Sequence, residues 1–284
     1  TNTLVSLAHA ARSEEFRRAF AAATCHDFFN FLAVLVLLPL ELVTRAFTGV
    51  GILERLSGLV SDFLVGSGGA DYSSPLKAAF KAGVHGLKAV VEGVGMNGSA
   101  ASIALAVLGA VVIFVTLALI VRVMRVLVLA RVENYVNRFL GAGGPVAIII
   151  GLLVTVSVQS SSITTSILVP LAGAGVVTLA QVYPITLGAN IGTTITALLA
   201  SMAVSGPSAG AAVQIAIVHL LFNLSGILIW YVPAFTRNVP LRGAEWLANL
   251  AARSRKWAII YVVMTFYLLP GLLVFLGSWL GLTV

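Results

Sequence analysis

Long apolar blocks separated by short polar stretches set the pattern of this chain. Several blocks reach the ~20 residues that a helix needs to cross a bilayer, which predicts an all-α, polytopic membrane protein. One block is broken from within. Residues 145–158 (PVAIIIGLLVTVSV) read as membrane helix, Gln159-Ser160-Ser161-Ser162 interrupt them, and apolar character resumes over 163–177, broken again at Pro170, Gly173 and Gly175. In hydrocarbon every backbone polar group must be satisfied internally, so such a break is tolerated only inside protein or beside a watery cavity. The pattern predicts a re-entrant helical hairpin over 144–177, restarting near Ser161 with free N–H groups and the positive end of its dipole at the break. Half-helix ends of this kind near the membrane midplane form the substrate sites of many secondary transporters.

A repeat organises the rest. Setting position n against n+193 aligns two segments without a gap: Thr1 and Thr3 fall on Thr194 and Thr196, His26 on His219, and Phe29-Asn30 on Phe222-Asn223. Thr1 is not an initiator methionine, and the counterpart of residues 159–162 would lie upstream of it, so a truncated first copy is expected. The expected divisions are 1–44 as the remainder of the first repeat, 45–100 as an extracellular linker with an amphipathic helix from Pro75, and 101–142 as a connecting helix with a basic cytoplasmic segment. The second repeat occupies 143–235, and 236–284 holds a basic interfacial segment, placed at 248–257, and a last transmembrane helix. Arg12, Arg17 and Arg18 precede the first copy's long helix, whereas the equivalent loop at 205–210 is uncharged and the basic residues follow that helix instead. Opposite bias is expected of inverted repeats. With the Arg-rich loops placed in the cytoplasm, 12 of the 17 Lys and Arg lie inside.

Composition agrees. The chain is 59% hydrophobic and 10% charged, with mean hydropathy +1.05, which excludes a soluble globule. A net charge of +7 would suit nucleic acid in a soluble protein. Here the basic residues flank apolar spans, and topology explains them without a nucleic-acid partner. Cys25 stands alone, so no intrachain disulfide can form.

Three constellations carry candidate chemistry. The run Gln159, Ser160, Ser161 and Ser162, followed by Thr164, Thr165 and Ser166, is denser than ordinary interhelical hydrogen bonding needs. In 188–196 (GANIGTTIT), Gly188 and Gly192 allow close backbone approach or unwinding, and Asn190, Thr193 and Thr196 offer neutral oxygens to a hard cation such as Na+. The alternative is a helix-packing surface of Gly and Thr. Asp27, within a run that includes His26 and Asn30, is costly inside a membrane, by ~2.5–3.5 kcal/mol. It either completes a cation site or pairs with a nearby Arg. His26 and His219 read as structural hydrogen-bonders. No nucleotide loop, metal cluster or nucleophile–base pair is present, so no enzyme and no bound cofactor are expected.

At these residues the chain resembles the type II sodium–phosphate cotransporter family. The motifs are QSSS at 159–162, YPITLGANIGTTIT at 183–196, EFRRAFAAATCHDFFNFLAVLVLLPL at 15–40 and IAIVHLLFNLSGILIWY at 215–231. The resemblance covers most of the chain and is weakest at 45–100. It implies inverted repeats, each with a QSSS element, and import of the phosphate dianion with sodium through the plasma (bacterial inner) membrane. By resemblance Ser160, Ser161 and Ser162 lie at phosphate, and Gln159, Ser160, Asn190, Thr193, Thr196 and Asp27 at sodium. The repeat counterparts Thr1, Thr3, Asn30 and Asn223 would line the same site. Asp27 matches the aspartate of electrogenic members, which implies three sodium ions per phosphate. Absence of the cystine-bearing outer loop of animal members implies a bacterial type. A carrier of another oxyanion, a proton-coupled carrier, and a channel or non-transporting scaffold stay open as alternatives.

Overall fold

A computed structural model describes residues 2–7, 12–66, 75–93, 95, 98–112, 115, 143–202, 204 and 208–279, which are helical with no strand among them. The helices are α1 (Asn2–Leu7), α2 (Ser13–Thr48), α3 (Ile52–Gly66), α4 (Pro75–Gly93) and α5 (Gly98–Val112). After them come α6 (Gly144–Val158), α7 (Ser161–Gly173), α8 (Leu179–Ser201), α9 (Ala209–Trp230), α10 (Asn238–Arg253), α11 (Lys256–Val263) and α12 (Leu269–Trp279). A π turn, Met264–Leu268, joins the last two. Ser13–Thr48, Leu179–Ser201, Ala209–Trp230 and Lys256–Leu276 are long and apolar enough to cross a membrane. The basic segment 122–142 and residues 67–74 of the linker lie outside the described residues.

At 36 residues and ~1.5 Å per residue, α2 is about 54 Å long, well beyond the ~30 Å of bilayer hydrocarbon. Its first half is core: Phe16, Ala19, Phe20 and the run 21–25 are buried. Its second half turns Leu35, Leu38 and Leu42 outward, as a lipid-facing surface should. Gly49 takes a left-handed conformation (φ 78°) and its N–H returns to Arg45 O, ending the helix. Beyond this turn the Glu41 carboxylate accepts the N–H groups of Leu53 at 2.8 Å and Glu54 at 3.0 Å. Glu41 therefore caps α3.

The tightest packing is α6 against α8, and glycine makes it possible. A Cβ on Gly188 would collide with the carbonyl of Ile148, one on Gly151 with the carbonyl of Ile185, and one on Gly192 with Thr155. Ala147 lies near Ala180 and Pro184, Gly151 meets Ile185 and Thr155 meets Gly192, so α6 and α8 lie side by side in parallel. The glycines serve close approach and not unwinding: α8 is continuous from Leu179 to Ser201, with Pro184 inside it. Pro170 is also carried within α7, whose break is confined to 159–160. A proline costs only local bonds where neighbouring protein surrounds the helix.

The Arg-rich ends gather at one end of the bundle. Arg18 donates from Nε and Nη2 to Gly173 O (3.0 and 2.7 Å), closing the C-terminus of α7, where a cation also suits the helix dipole. Arg237 donates to Tyr231 O at 2.7 Å, and the Arg255 guanidinium stacks over Phe16 at 3.8 Å. The amphipathic helix α10 lays Leu247, Ala248 and Ala251 on Phe16 and Phe20. It begins some ten residues before the interfacial helix expected at 248–257, because Pro240 in its first turn is compatible with a helix start.

Replacing Gly188 with Leu should cost at least about 1–3 kcal/mol from overpacking against backbone. Gly210→Ala, with nothing within 4 Å of the new Cβ, should not destabilise. Thermal unfolding in detergent distinguishes the two.

Candidate functional site

The break after α6 is sharp. Gln159 adopts φ 54°, ψ 28° and is the one non-glycine residue with positive φ among the described residues, a conformation that costs of order 1–3 kcal/mol. Ser160 is extended and caps α7 by accepting the Ile163 N–H at 3.4 Å. The two arms are tied just below the tip, where the Thr155 hydroxyl donates to Thr164 Oγ1 at 2.9 Å. Thr164 in turn donates to Ser160 O.

Asn2 of α1 reads the next turn of α7: its Nδ2 donates to Thr165 Oγ1 (2.8 Å) and its Oδ1 accepts from Ser166 (2.9 Å). These threonines and this serine are thus structural fasteners. By contrast, the hydroxyls of Ser161 and Ser162 and the amide of Gln159 donate to nothing among the described residues. Gln159 and Ser162 are exposed, Ser160 and Ser161 half-buried. The N–H groups of Ser161 and Ser162 are in the first turn, where intrahelical partners are lacking.

On α8, Thr193 donates to Ala189 O (3.1 Å) and Thr196 to Thr193 O (2.7 Å), so both hydroxyls keep their oxygen lone pairs available. Thr196 is one turn beyond Gly192 on the same face, and Gly192 sits against Thr155, one turn before Gln159. The α6–α8 register thus leads toward the hairpin tip. No side-chain hydrogen bond joins 159–162 to Thr193 or Thr196 among the described residues.

The third set lies on α2. His26 Nε2 meets Asn190 Oδ1 at 2.6 Å, and the Asn190 amide donates to Asn30 Oδ1 at 3.1 Å. Asn30 also approaches His26 Nε2 at 3.3 Å. Asn190 is therefore engaged by α2 on both sides of its amide. Asp27 points elsewhere: Tyr261 of α11 donates to its Oδ2 at 2.8 Å, and His26 Nδ1 stands 3.3 Å from its Oδ1. Among the described residues Asp27 reaches Asn190 through the imidazole, and neither arm of its carboxylate meets an Arg. Thr3 is buried and Asn223 is 2% exposed, whereas His219 lies on an open surface; Thr1 is outside the described residues.

Sequence reasoning missed Asn2 and Tyr261. Asn2 sits between the two threonines singled out by the repeat, which was the available signal; Tyr261 lies in an apolar run with nothing to mark it.

A family model described as Na+/Pi-cotransporter matches residues 112–241. Sodium-dependent phosphate transport protein 2B of Bos taurus is 33% identical over 95% of this chain and 50% of its own length. The 2A protein of Rattus norvegicus is 33% identical over 96% and 52%, and the human 2B protein 31% over 95% and 50%. This stretch of chain belongs to the sodium–phosphate cotransporter family. It spans about half the length of these family members. They are named as transport proteins and not as enzymes, and the membrane-crossing helices here fit an integral membrane protein. No solved structure matches.

In this cotransporter fold the His26–Asn190 contact should couple α2 to α8. A double-mutant cycle of His26→Ala and Asn190→Ala is expected to return about 0.5–1.5 kcal/mol of interaction, measured by unfolding in detergent.

Proposed function

We propose that the intact protein imports inorganic phosphate across the plasma membrane, driven by sodium, and that Ser160, Ser161 and Ser162 hold the phosphate. The observation that carries this reading is the strained turn at Gln159. It leaves the Ser161 and Ser162 hydroxyls and the first N–H groups of α7 unclaimed at one point. These are neutral donors, suited to a tetrahedral oxyanion. No Arg or Lys is bonded to them among the described residues. A dianion in a low-dielectric site needs countercharge, and bound sodium supplies it, so both solutes must load together. Gln159, Ser160, Thr193 and Thr196 offer the oxygens for that sodium, and Asn190 acts through its bonds to α2. No cofactor enters the cycle.

The architecture follows the same reading. The hairpin α6–α7 is re-entrant: helices of 15 and 13 residues are about 22 and 20 Å long, short of the ~30 Å core. Arg18 at the end of α7 and Arg237 near the start of α6 hold both outer ends at the basic side. Residues 1–44 and 143–235 are parts of two inverted repeats, with 45–100 outside and 236–284 closing the chain. Asp27 supplies a negative charge that a further sodium neutralises, which makes transport electrogenic. It does so about 20 Å along α2 from Ser13.

Three outcomes are expected in the intact protein. Phosphate uptake should vanish when sodium is replaced by choline, and sulfate or protons should not substitute; sodium-independent uptake would end the proposal. Ser161→Ala with Ser162→Ala removes hydrogen bonds to a charged ligand, about 1.5–3 kcal/mol each, so apparent phosphate affinity should fall at least about tenfold. Asp27→Gly should abolish net charge movement while uptake persists with one sodium fewer. An unchanged current per phosphate rules out that role for the carboxylate.

A further inference from the structure

At the end of α6 opposite the hairpin tip lies a cavity of ≈ 280 Å³. Gly144 stands at its wall, and the 15 residues of α6 put it about 22 Å from Gln159. The cavity is therefore separate from the hairpin tip. Three helices place their first turn on it: α6 with Gly144, α8 with Gln181 and α10 with Asn238. Each brings the positive end of its dipole. The start of α8 is closed on itself by the capping box of Thr178 and Gln181. The starts of α6 and α10 have no side-chain cap, so their first N–H groups stand at the cavity wall without intrahelical partners.

Two side chains point to a ligand independently of the helix ends. Tyr231 is buried, at 8% exposure, and its hydroxyl rests against Gly144. That hydroxyl has no hydrogen-bond partner among the described residues, and a buried polar group left unpaired is costly. Arg237 stacks over the Tyr231 ring at 4.8 Å. Its Nε donates to Tyr231 O at 2.7 Å and its Nη2 to Val232 O at 3.2 Å. Closing the end of α9 accounts for those two nitrogens, and it fixes the guanidinium in place with Nη1 left over. No Asp or Glu lines the cavity among the described residues, so this positive charge has no balancing acid there. The neighbouring Val232 and Phe235 are apolar and exposed, which suits the level where hydrocarbon gives way to headgroups. Basic pockets between membrane helices at that level are fitted to phosphate-bearing headgroups.

We propose that this cavity binds a phosphate group, presented by an anionic phospholipid or as the free anion. Its donors are the N–H groups of Gly144 and Asn238, the Tyr231 hydroxyl and Arg237 Nη1. Charge-assisted bonds from a fixed arginine and open helix starts are the usual means of holding such a group. Bound there, it ties the start of α6, and with it the whole hairpin, to α10. The site stands on its own geometry and does not depend on the transport reading.

The test is hydrogen–deuterium exchange of the intact protein in nanodiscs, carrying Ser161→Ala with Ser162→Ala so that the hairpin tip does not contribute. Starting from phosphatidylcholine alone in sodium chloride, exchange over 143–147 and 236–241 should slow in one of two arms. Slowing when phosphatidylglycerol is added to the bilayer identifies the ligand as a phospholipid. Slowing when sodium phosphate replaces sodium chloride at equal ionic strength identifies the free anion. Tyr231→Phe removes one donor to a charged group but keeps the ring beneath Arg237, so the ligand level giving half-protection should rise at least about tenfold. Arg237→Gln should abolish protection; because Arg237 also closes α9, Tyr231→Phe is the deciding variant, with unchanged exchange over 209–230 as the check on its fold. Exchange unmoved in both arms, or slowed equally in Tyr231→Phe, overturns the site. Slowing spread equally over the basic residues 253–257 marks general attraction to a charged surface and overturns it too.

Discussion

The hairpin tip depends on one contact, the backbone-to-backbone approach of α6 and α8. A turn containing Gln159 in the left-handed region and two uncapped N–H groups is unfavourable in any solvent and worse in lipid. It persists because Gly151, Gly188 and Gly192 let α8 lie directly against α6, leaving no room for α6 to slide or unwind. The Thr155–Thr164 bond then fixes α7 to α6. Strain at the tip is held by packing one and two turns below it, so the tip's own polar groups need not be spent on structure.

That division of labour runs through the polar residues of the core. Thr155 with Thr164, and Asn2 with Thr165 and Ser166, form one set of bonds on the hairpin, and His26, Asn30 and Asn190 form another. The first orients the hairpin and the second ties α2 to α8. What is left over, at 159–162 and on the Thr193–Thr196 side of α8, is where we propose that the charged solutes bind. Membrane interiors punish unsatisfied dipoles, so groups left free by every neighbour mark the places where something else arrives.

Much of this was legible in the sequence, for identifiable reasons. The break at 159–160 could be read because four polar residues interrupt an apolar block, and the close approach because Gly188 and Gly192 are spaced by one turn. Proline misled: Pro170 looks like a helix end, yet it is carried within α7, as Pro184 is within α8. The partner of Asp27 could not be read at all, since pairing a carboxylate at position 27 with a phenol at 261 is a fact of tertiary packing. Asn190 was legible as a polar group but not as one already bonded on both sides, because its two partners lie on another helix.

The π turn at Met264–Leu268 follows Tyr261 by one turn, in the helix least embedded in the bundle. A π turn stores a surplus residue, so bending or rotation of the outer part is absorbed there by redistributing that slack. Tyr261 can hold its grip on Asp27 while the far end follows changes in bilayer thickness. The bond to Asp27 is thereby made from the regular α-helical turn that precedes the π segment.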